Sequence, residues 1–166
     1  MSSRPTPGQP QGDSPLRGEI KVERLGAAQL EQARALFVLI ADVFEMDAGA
    51  LSDDYVQRLM RRDDFWALAA VQDGRLVGGL TAYTLPLTRA EIRELFLYDI
   101  AVLPECHRQG IGRMLVAALR AHAAAEGITV MFVAADEEDT QALDFYRAIG
   151  GSPSPVTIFT FGADAG

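Results

Sequence analysis

The stretch that decides the fold is LYDIAVLPECHRQGIGRML, residues Leu97–Leu115. Its first residues read as the end of a strand, Pro104 stops that strand, and Gly110 and Gly112 open a helix with apolar residues at helical spacing. Glycines at a strand-to-helix turn let backbone amides approach a ligand, and the partial positive charge of a helix N-terminus favours phosphate. The stretch therefore predicts a phosphate-binding turn, with a tight turn that binds no ligand as the alternative.

Other phosphate-binding and hydrolytic motifs fail on spacing. The chain has no GxxxxGK[ST] for a P-loop, no GxGxxG for a dinucleotide fold and no GxSxG for a hydrolase. His107 and His122 are the only histidines and HExxH is absent, so no zinc site or other metal site is expected. The single cysteine, Cys106, excludes an internal disulfide. We interpret it as a surface-loop residue without a role, with a covalent acetyl-cysteine route as the alternative.

Outward from this stretch, apolar periodicity predicts a mixed α/β chain. Strands are expected over about 19–25, 65–71, 76–85, 93–102, 129–135 and 156–161; helices over about 27–44, 53–60, 110–126 and 140–149. Asp73-Gly74 indicates a hairpin, and the unbroken apolar run 129–135 indicates a strand buried on both faces. The order β α α β β β α β α β predicts a mixed sheet, antiparallel first and strand–helix–strand later.

Length and composition bound the class of protein. A chain of 166 residues, 49% of them hydrophobic, favours one domain with one core. Residues 1–18 hold four of the eight prolines and little that is apolar, which predicts a disordered tail before a folded domain over 19–166. No apolar run approaches the roughly 20 residues of a membrane span, and the N-terminus lacks a secretory signal. We therefore expect a cytoplasmic location and no membrane partner.

The charge balance indicates which partners to expect. The net charge is −8, Lys21 is the only lysine, and no basic cluster occurs, so nucleic acid is not an expected partner. An acidic surface favours a small cationic ligand instead.

The residues around Gly110-Ile111-Gly112 resemble the [QR]-x-x-G-x-[GA] element of the GNAT N-acetyltransferase superfamily, with His107 where that element has Gln or Arg. The resemblance implies the GNAT acyl-CoA N-acyltransferase fold and acetyl-CoA as cofactor. In that superfamily, a bulged strand binds the pantetheine arm and the following loop and helix bind the phosphates. The implied cofactor-binding residues are Ile100, Ala101, Val102, His107, Arg108, Gln109, Gly110, Ile111, Gly112 and Arg113.

Further segments resemble the aminoglycoside 3-N-acetyltransferases of the gentamicin-modifying type. They are Phe44-Glu-Met46, Leu51-Ser-Asp-Asp-Tyr55, Val77–Tyr83, Tyr98-Asp-Ile-Ala-Val102, Ala135-Asp136 and Tyr146. The likeness runs in matching order from about residue 20 to 161. It implies acetylation of the 3-amino group of gentamicin-like drugs, and hence resistance to them. After Ala135-Asp136 the subfamily has Gly-Asp-Asp-Pro-Ala, whereas this chain has residues 137–142 as EEDTQA, which indicates a different substrate wall.

The implied reaction is attack of a neutral amine on an acetyl thioester, which requires a nearby base. Asp99, at the end of the strand, is the candidate base or amine-orienting carboxylate; the alternative is a residue that caps a strand bulge. The N–H of Ile100 or Val102 is the candidate oxyanion donor. Tyr146 is the candidate acid for the leaving thiolate, with a core tyrosine as the alternative.

A cationic aminoglycoside requires carboxylates, which bind ammonium groups by charge-assisted hydrogen bonds. The candidate substrate-binding residues, each alternatively a surface or helix-capping residue, are Glu45, Asp53, Asp54, Asp99, Asp136, Glu137, Glu138 and Asp139. Members of the superfamily often pair through their C-terminal strands, so the resemblance also implies a homodimer.

Two other functions stay open at this point. One is the same enzyme class acting on a polyamine, an amino sugar or a protein amine. The other is a CoA-binding regulatory domain without catalysis. Replacement of Asp99 and Tyr146 separates them, because it abolishes turnover in an enzyme and changes nothing in a regulator.

Overall fold

A computed structural model describes residues 18–46 and 49–162. The strands are β1 (Ile20–Arg24), β2 (Phe65–Gln72), β3 (Arg75–Pro86), β4 (Arg93–Val102) and β5 (Met131–Val133). The helices are α1 (Leu30–Val43), α2 (Asp53–Met60), α3 (Ile111–Ala125) and α4 (Thr140–Ala148), with a 3₁₀ turn at Pro104–Cys106. The predicted mixed α/β fold is confirmed. The predicted disordered tail lies outside the described residues except for Gly18.

The strands form one sheet in the order β1-β2-β3-β4-β5. The first four are antiparallel neighbours, and β5 lies parallel to β4 after the crossover through α3. Asp73 and Gly74 have φ of 51° and 77°, as the predicted hairpin turn requires.

The side chains of β2 point alternately into two hydrophobic cores, one on each face of the sheet. Trp66, Leu68 and Ala70 face α3 and pack with Leu115 and Leu119 of that helix. The intervening Phe65, Ala67 and Ala69 face α1 and α2. Because every second side chain of a strand points to the same face, one apolar strand supplies both cores. We call these the α3 face and the α1/α2 face.

The helix boundaries follow local capping chemistry. The Oγ of Ser52 accepts a hydrogen bond from the N–H of Tyr55, 3.2 Å away, and so caps α2. The Oδ1 of Asp139 accepts from the N–H of Ala142 at 2.9 Å and caps α4. Gly127, with φ of 74°, follows the end of α3.

The C-terminal part departs from the sequence prediction. β5 has only three residues, and none of them is buried, so the expected strand over 129–135 buried on both faces is wrong. Residues 151–162 form no helix or strand, and all of them are exposed, so the expected last strand at 156–161 is also wrong for the single chain. The physical reason is the same in both cases: among the residues that the structure describes, β5 pairs only with β4 and no strand covers its other side.

Within the described ranges, no helix combines the length and the hydrophobicity needed to cross a membrane.

Candidate active site

A β-bulge in β4 sets the direction of the side chains at its end. Thr81 pairs with Asp99 and Ala82 with Leu97, so Tyr98 is the extra residue of the bulge. Leu97 belongs to the core on the α3 face, whereas the ring of Tyr98 contacts that of Tyr83 on the α1/α2 face. Because the bulge interrupts the alternation, Tyr98 and Asp99 both point to the α1/α2 face although they are consecutive.

Asp99 is held by its cross-strand neighbour. The hydroxyl of Thr81, itself buried, donates a hydrogen bond to Oδ2 of Asp99 at 2.9 Å. Burial raises the pKa of Asp99 above the usual carboxyl range, and the hydrogen bond from Thr81 acts against that rise. A half-buried carboxylate with a raised pKa is suited to accept a proton.

The main chain beside Asp99 is open toward β5. The pairing of β4 with β5 ends at Leu97–Val133, whereas β4 remains paired with β3 as far as Val102. Among the described residues, the segment from Tyr98 to Val102 therefore has no strand partner on that side. Ile100 and Val102 lie on the α3 face and Ala101 on the α1/α2 face. Backbone N–H and C=O groups at a strand edge without a partner can bind an extended, amide-bearing ligand by hydrogen bonding.

The loop after β4 has the backbone geometry expected of an anion cradle. Arg108 and Gly110 have left-handed φ values of 63° and 79°, and Ile111 is buried and anchors the first turn of α3. Left-handed residues in a turn before a helix make successive N–H groups converge, and the helix end adds positive charge. The predicted phosphate-binding residues Arg108, Gln109 and Arg113 are exposed around this turn.

His107 has a specific partner at the end of β4. Its Nε2–H donates to the carbonyl oxygen of Val102 at 2.9 Å, which joins the loop to the end of β4. The sequence predicted that His107 binds the cofactor directly. In the structure its ring holds the loop against β4.

Cys106 is not a surface residue. Its side chain is 2% exposed and belongs to the core on the α3 face, because the 3₁₀ turn directs it inward. Burial raises the pKa of its thiol. The expectation of a surface-loop residue is wrong, and burial removes the basis for an acetyl-cysteine route.

Helix α4 packs against the start of α3. A Cβ on Gly112 would lie 3.2 Å from the ring of Phe145, so the two helices approach closely here and a larger residue would require that ring to shift. Arg113 donates to the carbonyl oxygen of Ala148 at 3.4 Å. Tyr146 lies on this helix, half-buried against the core of the α3 face. Burial, and secondarily the charge of Asp139, raises the pKa of Tyr146, so its phenol keeps its proton at neutral pH.

Apart from Asp99, the predicted acidic residues separate into two groups. Asp136, Glu137, Glu138 and Asp139 line a cleft of about 660 Å³ before α4, and all four are exposed. Asp53 and Asp54 lie in the first turn of α2, paired with Arg34 and, at 3.7 Å, with Arg58. Glu45 is exposed just after α1, with φ of 53°. Glu45, Asp53 and Asp54 form the second group. Their positions at helix ends, and the arginine partners of the two aspartates, explain these residues without a ligand.

Sequence reasoning missed Thr81 and Tyr83. Both lie on β3, opposite Asp99 and Phe96. They alternate in sequence with the buried Leu80 and Ala82, and this alternation is the sequence signal that could have placed them on the opposite face. Tyr83 also lines a cleft of about 450 Å³ with Tyr55, Arg58, Leu59 and Arg62 of the α2 region.

Within the part of the chain that the structure describes, no group of His, Cys, Asp or Glu residues is arranged to hold a metal ion.

Comparison with known proteins places this geometry among acetyltransferases. Residues 33–150 match the family model described as the acetyltransferase (GNAT) family. A comparison with curated proteins finds no match.

Solved structures give a closer likeness. The aminoglycoside acetyltransferase meta-AAC0020 from an uncultured soil metagenomic sample, solved in complex with sisomicin, is 32% identical. The match covers 87% of this chain and 97% of that one, with a TM-score of 0.84. The aminoglycoside acetyltransferase HMB0005 from a similar source is 31% identical over 88% and 99% of the two chains, with a TM-score of 0.83. AAC(6')-Iy in complex with CoA, 20% identical over 90% and 99% with a TM-score of 0.71, shares the fold.

Proposed function

The chain belongs to the acetyltransferase (GNAT) family, and we propose that within it the chain is an aminoglycoside N-acetyltransferase that modifies the 3-amino group of gentamicin-like drugs. The observation that carries the proposal is Asp99, a half-buried carboxylate directed by a bulge to the open end of β4. The two soil aminoglycoside acetyltransferases, at 31% and 32% identity, support the class of acceptor. The residues at 98–102 support the 3-position, through their resemblance to that subfamily.

Acetyl-CoA is the cofactor of this family, and the residues of this chain fit it. The left-handed turn at Arg108 and Gly110 with the first amides of α3 suits the phosphates. The β5-facing edge of Tyr98–Val102 has no strand partner in the described chain and suits the amides of the pantetheine arm, apart from the Val102 carbonyl that His107 already binds. When bound, acetyl-CoA would supply the acetyl thioester that the acceptor amine attacks, with the CoA thiol as the leaving group.

The side chains divide the proton transfers between them. Asp99 orients the acceptor amine and takes its proton, which the raised pKa of its carboxyl favours. The N–H of Ile100 or Val102 donates to the oxygen that gains negative charge. Tyr146, whose raised pKa keeps the phenol protonated, donates its proton to the leaving sulfur.

The acidic cleft of residues 136–139 supports a polycationic acceptor. Its four carboxylates are exposed and lie just before the helix that carries Tyr146. Charge-assisted hydrogen bonds from ammonium groups are the stronger kind that such carboxylates form. Asp53 and Asp54, which pair with arginines, contribute less to this attraction.

The test is release of free thiol from acetyl-CoA with gentamicin, sisomicin, kanamycin, spermidine and a lysine peptide as acceptors. The proposal expects turnover of the aminoglycosides, with mass spectrometry and NMR locating one acetyl group on the 3-amine. Acetylation at another amine keeps the enzyme class and contradicts the position. Turnover of spermidine or the peptide alone indicates the other-amine alternative, and acetyl-CoA binding without any turnover indicates a regulator.

We also propose a homodimer, supported by the C-terminal segment. Residues 151–162 present Val156, Ile158, Phe159 and Phe161, which are 71% to 91% exposed. β5 pairs with β4 along one edge, and its other edge has no partner within the described chain. In a dimer with a two-fold axis, the exposed segment and the open β5 edge of each copy are covered by the other copy.

Light scattering after size-exclusion chromatography tests the dimer. The wild type is expected as a dimer, and the double variant Ile158→Ser/Phe159→Ser as a monomer. Val38→Ser, which changes a 54% exposed residue of α1, is the control and is expected to remain a dimer. A monomeric wild type at all concentrations contradicts this proposal.

A further inference from the structure

A row of aromatic side chains crosses the α1/α2 face, one from each of four adjacent strands. Phe65 pairs with Tyr83, Tyr83 with Phe96, and Phe96 with Phe132 in the strand register. The rings of Phe65 and Tyr83 are 5.2 Å apart, and those of Phe96 and Phe132 stack at 5.0 Å. Tyr98 joins this aromatic row through edge contacts with Tyr83 at 5.5 Å and Phe96 at 5.6 Å.

One end of the aromatic row is covered and the other is open. Phe65 is 6% exposed because α1 and α2 pack over it, and its ring contacts that of Phe37 of α1. At the other end Tyr98 is 59% exposed and Phe132 is 41% exposed. Aromatic side chains that a soluble domain leaves exposed in a contiguous patch commonly mark a binding surface.

The open end of the row adjoins the predicted catalytic carboxylate. The bulge places Tyr98 and Asp99 on the same face. Burial is the main cause of the raised pKa of Tyr83, and the negative charge of Asp99 adds a smaller contribution. Among the ion pairs of the described residues, none includes Asp99. A negative carboxylate without a cationic partner, next to exposed ring faces, complements a ligand that combines an ammonium group with an apolar ring face.

We propose that Tyr98, Phe96 and Phe132 form a platform on which one sugar ring of the acceptor lies while its amine reaches Asp99. The inference rests on the proposed aminoglycoside acceptor and identifies a second, uncharged part of its site. A hexose carries C–H bonds on its ring faces that pack on aromatic rings. Its ammonium substituents are attracted to the negative face of such rings. The carboxylates then select for charge, and the platform selects for the ring.

The experiment compares Tyr98→Ser, Tyr98→Phe and Phe132→Ser with Val38→Ser as the control, whose side chain has nearly the exposure of Tyr98. Steady-state kinetics give KM and kcat for sisomicin, and calorimetry gives its Kd in the presence of CoA. Tyr98→Ser is expected to raise KM and Kd about tenfold with kcat nearly unchanged. Phe132→Ser is expected to raise both by a smaller factor. Tyr98→Phe keeps the ring and is expected to stay within about threefold of wild type.

Three results overturn the platform. One is an unchanged KM and Kd for sisomicin in Tyr98→Ser with an active wild type, which leaves the proposed function standing. Another is a change of oligomeric state alone in that variant, since the rings then cover a second copy. The third is a wild type that neither binds nor acetylates any aminoglycoside, which overturns the proposed function as well. The KM for acetyl-CoA and the melting temperature are expected to match wild type in all four variants.

Discussion

Thr81 and Asp99 face each other across β3 and β4, and the Thr81 hydroxyl donates to Oδ2 of Asp99 at 2.9 Å. This contact opposes burial, which raises the pKa of Asp99. Removal of the hydroxyl therefore leaves burial unopposed. The predicted base would then ionise only at a higher pH.

We predict that Thr81→Val moves the acidic limb of the kcat/KM profile upward by about one pH unit. The reason is that a hydrogen bond stabilises a charged group by roughly the free energy that corresponds to one pKa unit. The measurement is the pH dependence of kcat/KM with sisomicin. Thr81→Ser keeps the hydroxyl and is expected to retain the wild-type limb. The same limb in Thr81→Val would mean that Asp99 is not the group whose ionisation controls the rate.

Asp99→Asn is predicted to separate activity from stability. Loss of a general base lowers kcat by about a hundredfold or more. The folded pKa of Asp99 is raised, so the folded state holds this proton more tightly than the unfolded state, and ionisation of the carboxylate costs stability as pH rises. The variant should therefore melt at a higher temperature than wild type at pH 7 and lose that advantage below the usual carboxyl range. Thermal melts at both pH values check this; equal melting temperatures at pH 7 contradict it.

Tyr146→Phe is predicted to lower kcat about tenfold or more while the KM of either substrate stays within about twofold. The ring remains half-buried against the same core, so the fold is expected to persist. Because the pKa of Tyr146 is raised, the wild-type enzyme should keep its activity up to and beyond the usual tyrosine range. An unchanged kcat in the variant would assign Tyr146 to the core alone.

Gly110→Ala tests the anion cradle against a matched control. Gly110 and Gly127 have φ of 79° and 74°, and a Cβ on either would meet no atom within 4 Å. Both alanine variants should lose about 1 kcal/mol of stability through left-handed strain. Only Gly110→Ala, at the start of α3, should raise the Kd of acetyl-CoA; Gly127→Ala, beyond its end, should not. Equal Kd values in the two variants contradict the placement of the cradle.

The acidic cleft should act through charge. The double variant Glu137→Gln/Glu138→Gln is predicted to raise the KM for sisomicin about fivefold at low salt and less at high salt, because exposed ion pairs are weak and screened. Glu19→Gln/Glu23→Gln removes two exposed charges elsewhere and is expected to leave KM unchanged. The same effect from both pairs would indicate general attraction by net charge.

Local patterns in the sequence predicted most of the fold. The stripe of α1, the cap at Ser52 and the turn at Asp73-Gly74 are short-range features, so they are readable without a structure. The strand-to-helix turn at Gly110 belongs with them, and it gave the family and its cofactor. The prediction of a last strand at 156–161 was wrong, because a strand exists only where another strand pairs with it.

What the sequence determined by itself is therefore the order of the elements, the glycine turn before α3 and the position of the acidic residue at the end of β4. Only the tertiary structure decided which face that residue shares with others. The bulge at Tyr98 arises from the pairing of β3 with β4, and the aromatic row arises from the register of four strands. Alternation along one strand predicts opposite faces for Tyr98 and Asp99. The cross-strand hydrogen bonds shift that alternation by one residue and bring the two together.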